Sequence, residues 1–232
     1  ALTFSNIQGV EGTVTKVTLG TSDLTADIAE GAVSCEAIKS SGELGVKTLT
    51  IETDTTIYTL EVTVASYVIT NTADMLAWKE STTNYGNDNV VAQYVVVANS
   101  FEWDSELGSF GSYFLLANGW FKGTIDGRGN VIDKMVTGGP MFAGLLECVV
   151  KDIAFTNITM TNARSGNGVI CRWLVGAHLS NVYVSGTAVN HASDGQYLFG
   201  TGASTYGSTI TNCVFNVANL ATTGSADLFG TQ

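Results

Sequence analysis

The amino-acid sequence predicts an all-β protein: a small β-sandwich over residues 1–66, then a right-handed parallel β-helix over residues 67–232. A repeat in the second half indicates the β-helix. Apolar pairs recur at steps of 28, 29 and 30 residues, at Met141-Phe142, Val169-Ile170, Leu198-Phe199 and Leu228-Phe229. Within each repeat, apolar and polar residues alternate at period two, which indicates strands. A fixed period of this length is typical of one supersecondary unit stacked on copies of itself.

The composition narrows the classes of partner. The 232 residues carry a formal net charge of −11, from 21 acidic and 10 basic residues. Nucleic acid is therefore not an expected partner, because phosphate binding depends on clustered Lys and Arg. Only 13% of residues are charged and 26 are Gly, so Thr, Ser and Asn must cover much of the surface, as in secreted or cell-surface β-rich proteins. No apolar run reaches the ~20 residues of a membrane span, so we expect no membrane insertion.

Period-two alternation predicts five short strands in the N-terminal part, over residues 13–19, 24–29, 32–38, 47–52 and 57–65. The last two form a β-hairpin, because the polar residues 53–56 between them are typical of a turn. This pattern resembles that of the compact bacterial Ig-like modules found along surface proteins. The closing hairpin is the most specific part of the resemblance.

One helix is predicted, near residues 72–80, after a strand over 67–71. Thr72 is a suitable N-cap, and Asp74 favours the positive end of the helix dipole. Trp78 and its neighbours supply an apolar side. A solenoid needs an element to cover the open edge of its first coil, and we assign this helix to that capping role.

The second segment of each repeat is also in register. It spans residues 152–157, 181–186 and 212–217, and a leading copy at 123–127 lies 28 residues before the first of these. Asn157, Asn181 and Asn212 fall at the ends or starts of equivalent strands. Stacked asparagines at such turns share side-chain hydrogen bonds, so we interpret them as structural.

Two motifs carry a resemblance to a known family. Residues 121–132 read Phe-Lys-Gly-Thr-Ile-Asp-Gly-Arg-Gly-Asn-Val-Ile, and Leu198-Phe199-Gly200 precedes Ile-Thr-Asn-Cys-Val-Phe at 210–215. They resemble the opening and the repeat of bacterial GLUG-type β-helix proteins, over about residues 67–232. Residues 141–144 and 169–172 are degenerate copies that lack the usual glycine directly after the apolar pair. The resemblance implies a module of a large secreted or wall-attached protein, often an adhesin or a spacer.

Pectin-lyase-like solenoids also house polysaccharide lyases and glycoside hydrolases, whose acids converge from neighbouring coils. One period beyond Asp126 or Asp133 lies no acid, so no acidic column is predicted. Asp126, Arg128, Lys151 and Arg172 are scattered candidates without a shared column. We therefore assign no catalytic residue.

No metal site or cofactor is predicted either. The four cysteines lack a paired spacing, and His178 and His191 have no Cys or carboxylate at ligand spacing. The glycines at 123–129 suit a turn and lack the order of a phosphate-binding loop. Buried thiols and structural histidines are the expected roles.

The aromatic and acidic stretch from residue 101 to 120 predicts the binding residues. Sugars present a C–H face and a rim of hydroxyls, which suit aromatic rings beside polar groups. The candidates for glycan contact are Trp103, Asp104, Tyr113 and Trp120. The alternative is that these rings fill the first coil and pack against its cap.

The sequence therefore predicts a non-catalytic secreted or cell-surface module for adhesion, with a polysaccharide or a host surface glycoprotein as its partner. The alternative function is a β-helix polysaccharide lyase or glycoside hydrolase. Leu228-Phe229-Gly230 begins a further coil. Because solenoids normally end in a polar cap, we expect the natural protein to continue and to pack the remainder of its own polypeptide on this end.

Overall fold

The computed structural model describes residues 2–3, 10–83, 90–108, 115–161, 168–188, 199 and 207–218. The chain divides into two compact units, Ala1–Ser66 and Tyr67–Gln232. Both are built mainly from β-strands. Across the part of the chain that the structure describes, neither helix has the length and apolar character needed to cross a membrane.

The first unit contains two antiparallel sheets and one short helix. Its elements are β1 (Leu2–Thr3), β2 (Val14–Leu19), β3 (Ser22–Asp23), β4 (Ile28–Ala29), β5 (Ala32–Val33), α1 (Cys35–Ser40), β6 (Gly45–Thr53) and β7 (Ile57–Val64). One sheet has the order β3-β2-β6-β7 and the other the order β1-β5-β4. Their buried apolar side chains form one core, which holds Val17, Leu24, Val33, Leu49 and Ile51.

The predicted hairpin of β6 and β7 is confirmed, with Leu49 paired to Leu60 across an antiparallel ladder. The predicted strand over residues 32–38 is wrong, because the chain turns into α1 after Val33. The hydroxyl of Ser34 accepts a hydrogen bond from the Ala37 amide and so caps the helix. The predicted strand over 24–29 is likewise replaced by a 3₁₀ turn, Thr25–Asp27, before β4.

The second unit is a parallel β-solenoid of about four turns, so the predicted stacking of parallel coils is confirmed. It comprises β8 (Tyr67–Ile69), α2 (Thr72–Thr83), β9 (Val90–Val97), β10 (Phe101–Glu102), β11 (Leu115–Asp133), β12 (Val136–Thr137), β13 (Phe142–Leu146), β14 (Val149–Met160), β15 (Cys171–Val175), β16 (His178–Ala188), β17 (Thr209–Thr211) and β18 (Val214–Ala218). Every strand pairing that the structure describes in this unit is parallel. Successive coils thus lie directly on one another.

Stacked apolar side chains fill the inside of the solenoid. Phe121, Leu145 and Leu174 occupy one column on β11, β13 and β15, and each is at most 1% exposed. Ile132 and Phe155 begin a second such column on the next side of the coil. Full burial of a side chain of this size stabilises the fold by about 1.5–3 kcal/mol. The stacked columns therefore hold the coils in register.

The predicted register is confirmed between later coils. Ile153 pairs with Val182, and the next coil continues the same alignment. The apolar pairs lie one residue out of the predicted phase, because Phe142 pairs with Cys171 and not with Ile170.

The predicted register of the first coil is wrong. A step of 28 residues pairs Ile125 with Ile153, whereas the structure pairs Ile125 with Val150. A bulge follows Asp126, and regular pairing resumes at Asn130, which lies opposite Ile153. The corner of this coil holds two residues more than the corresponding corner of the next coil. A constant period therefore misaligns the strand residues that precede this corner.

Corners between the straight segments use the left-handed backbone region. One corner column holds Arg128, Asp152, Asn181 and Asn212, with φ values of 52°, 53°, 53° and 53°. Asparagine and aspartate tolerate this region better than most residues. The Asn181 side-chain amide also donates to Asp152 Oδ1 at 2.7 Å, so the predicted structural role of this residue is confirmed.

Helix α2 packs against the start of the solenoid. Trp78 is 1% exposed and meets Phe121 edge-on, with ring centroids 6.2 Å apart. Thr72 is not the cap as predicted, since its Oγ1 accepts from the Asp104 amide. Asn71 is the N-cap, because its Oδ1 accepts from the amide of Asp74 at 3.0 Å.

Candidate functional site

Two partly exposed tryptophans lie on the outer face of β11, β13 and β15. Trp120 pairs with Gly144, and Gly144 pairs with Trp173, so the three residues form one column across three coils. Successive strand residues point to opposite faces. Since Phe121 and Leu174, which follow the two tryptophans in sequence, are buried inside, the tryptophans lie on the outside.

The two rings form one joint surface, which we call the tryptophan pair (Trp120 and Trp173). Their centroids are 5.5 Å apart, with an angle of 31° between the ring planes. Both rings are partly exposed. Gly144 makes the arrangement possible, because a Cβ at this position would lie 2.8 Å from Trp120 Cε3. The ring of Trp120 thus covers the glycine and reaches its partner two coils away.

Charged side chains flank the tryptophan pair. The Arg172 guanidinium carbon lies 4.3 Å from the centroid of the Trp173 ring, a cation–π contact. Lys122, two residues along β11 from Trp120, pairs with Glu147 at 2.5 Å. The surface therefore combines two apolar ring faces with hydrogen-bond donors and acceptors at its edge.

The structure separates the four predicted binding residues. Trp103 is 4% exposed and its Nε1 donates to the Gly108 carbonyl at 3.1 Å, so its ring lies in the core. Asp104 is exposed, and its carboxylate caps the 3₁₀ turn Ser105–Leu107. Tyr113 lies outside the described residues. Of the three that the structure describes, only Trp120 contributes to a partly exposed aromatic surface, and its partner is Trp173.

A cluster of ionisable groups forms where the sequence predicted none. Asp126 pairs in register with Lys151, and its Oδ2 lies 3.2 Å from Lys151 Nζ. The hydroxyl of Tyr94 donates to the same oxygen at 3.1 Å, and the amide of Arg128 donates to Oδ1. Asp126 is only 8% exposed. This cluster is the best candidate for acid–base chemistry in the described part of the chain.

The pKa shifts in this cluster run against such chemistry. Burial raises the pKa of Asp126, but hydrogen bonds from Lys151 and from the Arg128 backbone outweigh it, and the pKa lies below its ordinary value. Burial lowers the pKa of Lys151, but the hydrogen bond to Asp126 and its charge outweigh it, and the pKa is raised. A general acid or base works best with a pKa near the working pH. Both shifts lead away from neutrality, as expected of a stabilising ion pair.

A shallow polar groove of about 470 Å³ lies on another side of the solenoid. Its lining includes Asn157, Thr159, Tyr183, Ser185, Thr187 and Asn216. Tyr183 is 38% exposed. A single ring beside hydroxyls and amides is a weaker sugar-stacking surface than two adjoining rings.

The described residues contain no group of three or more His, Cys, Asp or Glu side chains placed to hold a metal ion. Nδ1 of His178 lies 2.8 Å from Thr209 Oγ1 on the neighbouring coil, and His191 lies outside the described residues. Cys148 and Cys171 are buried thiols, as predicted, and burial raises the pKa of Cys148 to about 12. Cys35 is exposed instead.

Comparisons with protein-family models, curated proteins and solved structures found no match to this chain. The function of this chain is therefore inferred from the geometry of the site. Sequence reasoning missed Trp173, although it follows the degenerate repeat copy at 169–172. The signal was an aromatic residue at an outward-facing position of the repeat, where the preceding coil has Gly144.

Proposed function

We propose that this chain is a non-catalytic module of a secreted or cell-surface bacterial protein, and that it binds glycans through the tryptophan pair. The supporting observation is the position of Trp120 and Trp173 on the outer face of the solenoid, where their rings join above Gly144. Apolar rings of this size normally bury their faces, and tryptophan is enriched where proteins bind partners. A polysaccharide chain or a host surface glycoprotein would supply the sugar faces that stack on them.

We also infer that the solenoid belongs to the GLUG-type β-helix proteins and that the first unit is an Ig-like module. The motif at 121–132 has a physical role that favours the first inference. Its first and last residues, Phe121 and Ile132, are buried in the core. At Gly127 a Cβ would lie 2.4 Å from the Cβ of Ile153. For the Ig-like module, the support is that two antiparallel sheets share one core.

The alternative, a polysaccharide lyase or glycoside hydrolase, draws on the Asp126–Lys151–Tyr94 cluster. A lysine base needs a lowered pKa and an aspartic acid donor a raised one. The shifts of Lys151 and Asp126 have the opposite signs. The net charge of −11 and the Thr-, Ser- and Asn-rich surface favour a secreted or cell-surface location for either function.

The test is binding of the purified chain to a broad glycan array, with digestion of acidic and neutral polysaccharides on the same sample. We expect selective binding without release of reducing or unsaturated ends. Trp120→Ala and Trp173→Ala should each lower the affinity about tenfold, the cost of removing a ring that carries binding.

Tyr183→Ala is the matched control, since it removes another exposed ring from the same solenoid. It should leave binding unchanged, and circular dichroism should show that all three variants keep the fold. Loss of binding in Tyr183→Ala alone would assign the ligand to the polar groove. Released products would establish the enzyme, and no binding to any glycan would overturn the proposal.

A further inference from the structure

We propose that the sugar bound by the tryptophan pair is acidic, and that Arg172 binds its carboxylate. This inference rests on the proposed function and names the class of ligand. Uronic acids and sialic acids share the required chemistry, a carboxylate on a sugar ring.

The repeat does not require a charge at this position. Cys171 pairs with Phe142 and Trp173 with Gly144, so Arg172 takes the place that Ala143 holds one coil earlier. Ala143 is 1% exposed, whereas Arg172 is partly exposed. The arginine therefore adds a surface cation to a position where the preceding coil has a small buried residue.

Arg172 has no acidic partner among the described residues, since none of their five salt bridges includes it. Glu147, which follows β13 by one residue, is paired with Lys122. The cation–π contact with Trp173 holds the guanidinium over the ring and leaves its N–H donors to bind an anion.

Arginine suits a carboxylate in particular. Its planar fork of N–H donors matches the two oxygens of a carboxylate, and the resulting pair of hydrogen bonds is directional and charge-assisted. Because the guanidinium lies over the Trp173 ring, an acidic sugar bound at the tryptophan pair would meet the guanidinium with its ring carboxylate. The chain's negative charge elsewhere is screened over about 8 Å at physiological ionic strength, so the local cation dominates at contact distance.

The experiment titrates the full chain with two matched pairs of ligands: an oligogalacturonide with its methyl ester, and sialyllactose with lactose. Each pair differs mainly in the sugar carboxylate. We expect at least one acidic ligand to bind about tenfold more tightly than its neutral partner, with an affinity that falls as salt is raised. Which acidic ligand binds distinguishes a uronate from a sialate.

Arg172→Gln should remove this tenfold preference for the acidic ligand. Arg172→Lys, which keeps the charge but not the fork, should recover only part of it. The control is Lys134→Gln, which removes a surface cation paired with Glu102 elsewhere on the solenoid. It should leave the preference intact.

Equal binding of acidic and neutral partners, unaffected by Arg172→Gln, would overturn this inference and leave the glycan-binding proposal standing. So would a preference for the acid that persists in Arg172→Gln. Failure of every ligand here, together with an array that shows no binding, would overturn both.

Discussion

Asp126 stabilises the fold, and it does so within the cluster that is the best candidate for acid–base chemistry. Its carboxylate receives hydrogen bonds from Lys151, Tyr94 and the Arg128 backbone, and it is nearly buried. A carboxylate that is hydrogen-bonded in the native state binds protons less readily than in the unfolded chain. Its stabilising effect should therefore depend on pH.

We predict that Asp126→Asn lowers the free energy of unfolding at pH 7 by about 1–3 kcal/mol, because Lys151 loses a charged hydrogen-bond partner. The pKa of Asp126 lies below its ordinary value of 3.8, so the carboxylate's contribution is present above that pH and is lost as the pH falls below it. The difference between wild type and variant should thus shrink in acid. Urea unfolding at several pH values measures it.

Glu102→Gln provides the control for this experiment. Glu102 pairs with Lys134 in an exposed position, where an ion pair contributes about 0.5 kcal/mol or less. A loss in Asp126→Asn that is no larger than in Glu102→Gln, or that does not shrink in acid, would contradict the role given to the buried cluster.

At the scale of elements, the corners determine where each strand begins. Asn181 has a φ of 53° and donates a hydrogen bond to Asp152 of the neighbouring coil. We predict that Asn181→Ala lowers the free energy of unfolding by about 1–2 kcal/mol. Alanine is less stable than asparagine in the left-handed backbone region, and the variant lacks the hydrogen bond to Asp152. Asn181→Gly should be less harmful because glycine adopts this region freely. Thermal unfolding of both variants tests the ranking, and equal stability would show that the corner conformation is not the constraint.

Gly144 tests the packing of the binding surface without removing a ring. A Cβ at this position would lie 2.8 Å from Trp120 Cε3, so Gly144→Ala must displace the Trp120 ring. We expect glycan affinity to fall about tenfold, as in Trp120→Ala, while the melting temperature changes little because Trp120 is partly exposed. Unchanged affinity in Gly144→Ala would mean that the position of the ring does not matter.

The elements themselves were largely predictable. Period-two alternation located β2, β6 and β7, and the repeat placed Ile153 opposite Val182. Within residues 32–38 the chain forms a helix after Val33 and not the predicted strand, because the helix-capping chemistry outweighs a short run of alternating residues. Ser34 and the acidic Glu36 after it are typical of a helix start, and α1 begins there.

The candidate site was less predictable, since a constant period cannot represent a corner of variable length. The bulge after Asp126 shifts the register, and so hid the pairing of Asp126 with Lys151. A local pattern would have found it. Asp152 and Asn181 each follow an apolar–polar pair directly, and Ile125-Asp126 is the same kind of pair with Gly127 inserted before Arg128. Aligning these pairs, and not the corner residues, places Lys151 beside Asp126.

At the scale of the whole molecule, the solenoid assembles a surface from distant parts of the sequence. Trp120, Gly144 and Trp173 lie on three strands that only the stacking of coils brings together. Each coil supplies one outward position to the column. The fold thus provides a rigid support for the ring faces. Rigidity favours binding, because the two side chains lose little conformational freedom when a ligand binds.

The most direct measurement is a double-mutant cycle on the tryptophan pair, with affinities for the array-selected glycan measured by isothermal titration calorimetry. Wild type, Trp120→Ala, Trp173→Ala and the double variant would be compared. If the rings act as one surface, each single change lowers the affinity about tenfold and the double change adds little more. Single variants that bind like wild type would contradict the proposal that these rings form the binding site.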